Sequence, residues 1–283
     1  MDFLSGWDHE SEQADYRALQ DYQEYCGEQF LFQWSDVRER IYEEAKLYKG
    51  WEIKDPHTNY TVAQTKTNGC VSYGVSAGVE DTLCLSLQKG REIEVFRSCA
   101  PWLYGGYHNI IKGRPGTGGC SMSGMMRFIA EYGILPYDTQ PKIYADGEVD
   151  WNCSARSWKR IYEKHSEEAA RFQIKVARLP RNFQDIVACL QAGYAVPYGT
   201  DKKLVLDRKT GFYYLSGRTK HCMSWAGFGG GDDSFTYNKN SWLDGRGKQR
   251  LADVKVQVNS NYFDCFVVLD IERTRKSKPN YTL

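Results

Sequence analysis

The chain has 283 residues, enough for one large domain or two small ones, and its 41% apolar content is sufficient for a real core. Lysine and arginine total 37 against 36 aspartates and glutamates, and no basic stripe with interleaved aromatics occurs, so nucleic acid is not an expected partner. No apolar run approaches the roughly 18 to 20 residues of a membrane span, and no basic-then-apolar leader opens the sequence, so a membrane is not an expected partner either.

The first fifty residues read as two amphipathic helices. Tyr16, Leu19, Tyr22 or Gln23, and Cys26 fall at helical spacing before Gly27, and Val37, Ile41, Ala45 and Tyr48 do so between Ser35 and Gly50. Residues 1 to 50 are therefore expected to be an N-terminal helical extension: a fixed cap, a removable inhibitor or a docking element for a protein partner. Trp51 to Val62 reads as extended, with Pro56 excluding a central strand position there.

A polar loop, Gln64-Thr-Lys-Thr-Asn-Gly69, then runs into Cys70, and Val71, Val75, Val79 and Leu83 repeat along one face of a helix expected to reach about Leu87. This places a thiol at a helix N-terminus, where the partial positive charge favours the thiolate. Residues 98 to 119 read as a loop-rich groove wall with exposed aromatics. Cys120 leads a further helix, closed by Gly133.

Ser154 to Phe172 reads as a charged amphipathic helix carrying His165, and Asn182 to Leu190 as a short helix stopped by Gly193. After that the pattern alternates: Phe212 to Leu215, His221 to Phe228, Ser234 to Asn238, Val254 to Val258 and Tyr262 to Asp270 are expected strands. Gly229-Gly-Gly-Asp-Asp lacks the strand-turn-helix setting of a phosphate loop and is expected to be a hairpin turn.

Only five histidines exist: His9, His57, His108, His165 and His221. Taken singly, a cysteine before an apolar helix is more often an inert packing residue, and a histidine on a strand is more often packing than catalysis. The order Gln64, Cys70, His221, Asn240-Ser241-Trp242 is more specific. It resembles the papain-like cysteine peptidases, whose histidine and asparagine follow the cysteine by roughly 130 to 150 residues. Gln64 lies six residues before Cys70, where that family keeps its oxyanion-hole glutamine, and Glu80, ten residues after Cys70, also matches. So do the cysteine-led helix from Cys120 and the Tyr-Gly-Ile segment ending it.

The resemblance covers about 80% of the chain. It implies an α+β, two-subdomain fold for residues 51 to 283, with a helical half at about 66 to 175, a β-barrel-like half at about 176 to 283 and a cleft between them. It also implies a cysteine endopeptidase acting on peptide or protein substrates. Cys70 would be the nucleophile, His221 the base and Asn240 its orienting partner. Gln64 would contribute to the oxyanion hole and Trp242 would shield the His221–Asn240 pair. No cofactor or metal is implied.

Three positions depart from the family pattern. Val71 stands where an aromatic is usual, Leu243 replaces a glycine, and Met122-Ser123 replaces a glycine pair that meets substrate backbone. A catalytically weak or inactive structural module of a larger assembly, such as a virus particle, is therefore the alternative reading. A transglutaminase-like or cell-wall amidase activity is a third.

The nine cysteines form no disulfide framework and no C-x-x-C metal site. Thr67 occupies the position at which secreted members carry a second cysteine, so a reducing, cytoplasmic or particle-associated setting is expected.

Overall fold

The computed structural model describes residues 6–47, 68–91, 93–114, 118–136, 158–209, 213–229, 235–243, 249–254 and 263–273. Within these stretches the side chains of 226–229, 235–237, 239–243, 249–254 and 263 are not described. The extended reading of Trp51 to Val62, and the link between the two strands flanking Gly230 to Ser234, lie outside the described residues.

The N-terminal region forms α1 (Glu12–Cys26), a two-residue strand β1 (Leu31–Phe32) and α2 (Trp34–Leu47). Gln23 ties the first two together: its Oε1 accepts from the backbone N–H of Phe30 at 3.2 Å and of Leu31 at 2.5 Å. β1 then pairs in parallel with β2 (Phe172–Leu179), Leu31 opposite Val176. The extension thus contributes an edge strand to the main sheet.

Helix α3 (Cys70–Gln88) is buried nearly all round, as expected of a helix at the centre of a molecule. α4 (Ala100–Gly106) continues into a wider π turn at Tyr107–Ile111, and α5 (Met122–Tyr132) follows. The loop reading of residues 98 to 119 is corrected here. Pro101 sits in the first helical turn, where its missing N–H costs nothing. Trp102, Leu103, Tyr104 and Tyr107 are buried, not exposed.

α6 (Trp158–Ala169) ends ahead of the expected Phe172, because Phe172 begins β2. α7 (Phe183–Gln191) starts at Asn182, whose side chain accepts from the Gln184 N–H at 3.0 Å.

The remaining strands are β3 (Val196–Thr200), β4 (Lys203–Leu206), β5 (Tyr213–Ser216), β6 (His221–Gly229), β7 (Phe235–Leu243), β8 (Gln249–Val254) and β9 (Phe263–Arg273). They form one nine-stranded sheet in the order β1-β2-β9-β3-β6-β7-β8-β5-β4. Among the described strands, only β1 with β2 and β5 with β8 run parallel.

Strand alternation divides the apolar residues into two clusters. In β9, Phe266 and Val268 join a large cluster with α3 to α6, whereas Cys265, Val267 and Leu269 join a second with α2 and α7. Helices and strands combine in the mixed α+β architecture expected, and α3 packs along β6.

Candidate active site

Cys70 is the first residue of α3, and its side chain is fully buried. The turn ahead of it is tied by Ser72, whose Oγ donates to Gly69 O at 2.7 Å. Close helix–strand packing brings α3 onto β6. A Cβ built on Gly74 would lie 2.8 Å from Cys222 Sγ and 3.2 Å from the Met223 backbone, so only glycine permits the approach. Cys222 and Ser224 turn toward α3, and Met223 and Trp225 turn to the cluster on the other side.

His221 opens β6 opposite Thr200 and is buried. The N–H of Cys222, in the peptide bond that leaves His221, points at the Cys70 sulfur. The fold therefore joins two positions that are far apart in sequence: Cys70 lies against the His221–Cys222 peptide. Asn240 and Trp242 lie in β7, next to β6, but their side chains are outside the described residues, as is all of Gln64.

What sequence reasoning missed is the occupant of the cleft. Gly6 presses on Cys70: a Cβ there would lie 2.1 Å from Asn68 O and 2.9 Å from Cys70 Sγ. Gly6 O accepts from Cys120 N at 2.8 Å, and the Asp8 N–H donates to Cys120 O at 2.9 Å, so Trp7 bridges in parallel to Cys120. The Trp7 ring lies on Gly199 of β3.

Carboxylates on α1 anchor this segment. Buried Glu12 accepts from Met122 N and Ser123 N, both at 2.8 Å, and from Ser123 Oγ at 2.5 Å, at the N-terminus of α5. That position also favours negative charge through the helix dipole. Asp15 accepts from the hydroxyls of Ser121 and Tyr107. Lys112 donates to Ser11 Oγ at 2.6 Å and lies 3.3 Å from Asp8.

The electrostatics are those of a closed site. Burial pushes the Cys70 thiol up to about 12, although the N–H groups of Cys222 and Gly6 favour the thiolate. Glu12 is raised by the same cause, with Asp264 adding to it.

A second imidazole–thiol contact lies nearby: His108 Nε2 is 3.0 Å from Gly118 O and 3.7 Å from Cys120 Sγ. Burial lowers His108 to about 4 and raises Cys120, so this pair is neutral and suited to packing. No cluster able to hold a metal occurs among the described residues, and no helix among them is long and apolar enough to cross a membrane.

Comparison with known proteins gives a likeness of fold. No sequence-family profile and no curated protein sequence matches the chain. Xylellain, a cysteine protease from Xylella fastidiosa, superposes with a TM-score of 0.56 at 14% identity, over 82% of this chain and 89% of that one. Procathepsin B S9 from Trypanosoma congolense gives 0.53 at 12% identity, over 80% and 78%. The clostridial cysteine protease Cwp84, solved after propeptide cleavage, gives 0.56 at 12% identity, over 80% and 58%. The α+β architecture is that of the papain-like cysteine proteases, in a divergent form.

Proposed function

We propose that the chain is a cysteine endopeptidase held in a closed state by its own residues 6 to 26. The observation that carries this reading is the juxtaposition of Cys70, at a helix N-terminus, with the His221–Cys222 peptide across the line where the two halves meet. Solved structures that share this fold include cysteine proteases, some of them in precursor form.

In this reading, withdrawal of Gly6 admits water and substrate and removes the burial that keeps the thiol neutral. His221 then takes the Cys70 proton, and the thiolate attacks the scissile carbonyl carbon. The resulting oxyanion is held by the Cys70 N–H and the Gln64 side-chain amide, each such donor being worth about 2.7 to 4 kcal/mol. His221 returns its proton to the departing amine as the C–N bond breaks. Water, deprotonated by His221, hydrolyses the thioester and restores the thiol. Asn240 fixes the His221 ring and Trp242 excludes water from that contact.

A second reading, a catalytically silent module of a larger assembly, is favoured by one observation: Cys70 is fully buried beneath Gly6. Hydrolysis of an unfolded protein substrate separates the two. The peptidase reading requires turnover by the wild-type chain and its loss in Cys70→Ala. Equal, background-level cleavage by both, under conditions that dislodge the N-terminal segment, supports the silent module.

A further inference from the structure

Among the described strands, β4 stands at one end of the sheet and pairs on one side, with β5. The register sets Lys203 opposite Ser216, Leu204 opposite Leu215, Val205 opposite Tyr214 and Leu206 opposite Tyr213. An edge of this kind presents a row of backbone N–H and C=O groups with which a further strand can pair. The hairpin is held at its base, where the Thr219 N–H donates to Asp201 O at 2.6 Å.

Side chains alternate across the strand. Leu204 packs against the second apolar cluster, as does Leu215 opposite it, whereas Leu206, next on that face, is 45% exposed. The cluster therefore runs out to solvent at the edge. By the same alternation Lys203, Val205 and Asp207 share the other face.

The segment Lys203-Leu-Val-Leu-Asp207 is complementary to itself when reversed. Antiparallel pairing of two copies about Val205 sets Lys203 of each copy opposite Asp207 of the other, and Leu204 of each opposite Leu206 of the other. Pairing about Leu204 would instead oppose Asp201 to Asp207, and pairing about Leu206 would oppose Lys203 to Lys209, so charge selects the central register. Asp207 Oδ1 accepts from the Lys209 N–H at 2.8 Å, which orients a carboxylate whose second oxygen can take an ammonium. One step beyond, Lys202 would meet Arg208, and that like-charge pair confines the ladder to the five residues 203 to 207.

We propose that β4 is a docking edge for a second copy of this chain, joined antiparallel about Val205 so that the sheet continues across a two-fold axis. The exposed Leu206 of each copy is then covered by Leu204 of the other, which the apolar cluster backs. An edge this short buries less than the about 1,000 Å² of a stable interface, so the dimer is weak and depends on concentration. This goes beyond the peptidase reading and does not rest on it.

Sedimentation equilibrium of the full chain across about 1 µM to about 1 mM tests it, with reductant present so that Cys26, the half-exposed thiol, forms no disulfide between copies. The wild type should pass from monomer to dimer within that range. Lys203→Glu alone and Asp207→Lys alone should each weaken the dimer about tenfold or more, because both symmetric contacts turn from attraction to repulsion. An equimolar mixture of the two variants should form a heterodimer that neither forms by itself, and the chain carrying both substitutions should dimerise as the wild type does. Unchanged melting temperatures in all variants would show that the effects belong to the edge. A wild type that stays monomeric throughout, a dimer indifferent to the single substitutions, or a mixture that fails to associate would overturn the proposal.

Discussion

Glu12 and Asp8 hold the segment Gly6 to Asp8 from two places, and their contributions to stability respond to pH in opposite directions. Burial raises the Glu12 carboxyl above its ordinary value of 4.5, so the folded chain favours its protonated form. Stability from this group is present in full below that ordinary value and is lost as pH climbs through the raised one. For Asp8, burial pulls upward, but the Ser11 hydroxyl and N–H together with Lys112 outweigh it and lower the carboxyl. Its contribution is present above the ordinary value of 3.8 and lost as pH falls through the lowered one. Glu12→Gln should cost about 1 to 3 kcal/mol, because the amide cannot accept from both Met122 N and Ser123 N. The gap in melting temperature between wild type and Glu12→Gln should be widest near pH 4 and narrow as pH rises. A gap that widens with pH, followed by calorimetry, would show that the ionised carboxylate is the favoured form.

Cys70 and His221 stand out in the sequence as candidates because their order and setting are chemical. Glu12, Gly6 and Gly199 were not, since a carboxylate or glycine declares a partner only once the fold supplies one. Gly6 precedes a tryptophan, and that is the whole of its local signal.

Among the elements, α3 was read to within one residue, its period and the Lys89-Gly90 stop being unambiguous. α5 and α7 are capped by Ser121 and Asn182, each accepting from an N–H of the first turn. α4 was misread because Pro101, Gly105 and Gly106 are loop residues by propensity, and burial of Trp102 overrides them. Trp102 stacks on Tyr162 at 6.1 Å and meets Trp158 at 5.0 Å, contacts made between α4 and α6. β2 was hidden by a run of charges on α6 that gives way to the Phe-Gln-Ile-Lys-Val alternation only at residue 172. β7 reaches Leu243, beyond the expected end at Asn238, so Asn240-Ser-Trp242 stands on a strand next to β6.

The element that sets the site's geometry is the α3–β6 contact. Gly74→Ala puts a methyl group 2.8 Å from Cys222 Sγ and 3.2 Å from Met223 backbone atoms, and the backbone has little room to yield. The expected cost is about 1 to 3 kcal/mol, read as a lowered denaturant midpoint at unchanged slope. Any peptidase activity should fall with it, because the thiol is pushed away from the His221–Cys222 peptide. A midpoint equal to wild type would show that α3 is free to shift on the sheet.

At the scale of the whole molecule, the N-terminal region is at once framework and occupant. β1 extends the main sheet, α2 packs on α7, and α1 packs on α5. The short stretch Gly6 to Asp8 lies in the cleft. The two helices were legible from their periodicity. That the chain ahead of them returns to Cys70 was not, because the contact joins residues more than sixty positions apart and depends on the absence of a side chain at 6.

The two roles predict different sensitivities. Substitutions in α2 should lower stability, and substitutions at Gly6 should change access to the thiol. Burial raises the Cys70 thiol far above the ordinary thiol range, so in the closed state it is held as the neutral thiol at neutral pH.

The rate at which iodoacetamide alkylates Cys70 near pH 7, located by peptide mapping among the nine cysteines, tests the central claim most directly. The account predicts slow labelling of the wild type. In Gly6→Ala, whose methyl group would overlap Asn68 O and displace the segment, Cys70 should become the fastest-labelled cysteine. Adding His221→Ala should return it to an ordinary thiol's rate. A Cys70 that stays unreactive in Gly6→Ala, or reacts equally fast without His221, would contradict a thiol and imidazole acting together.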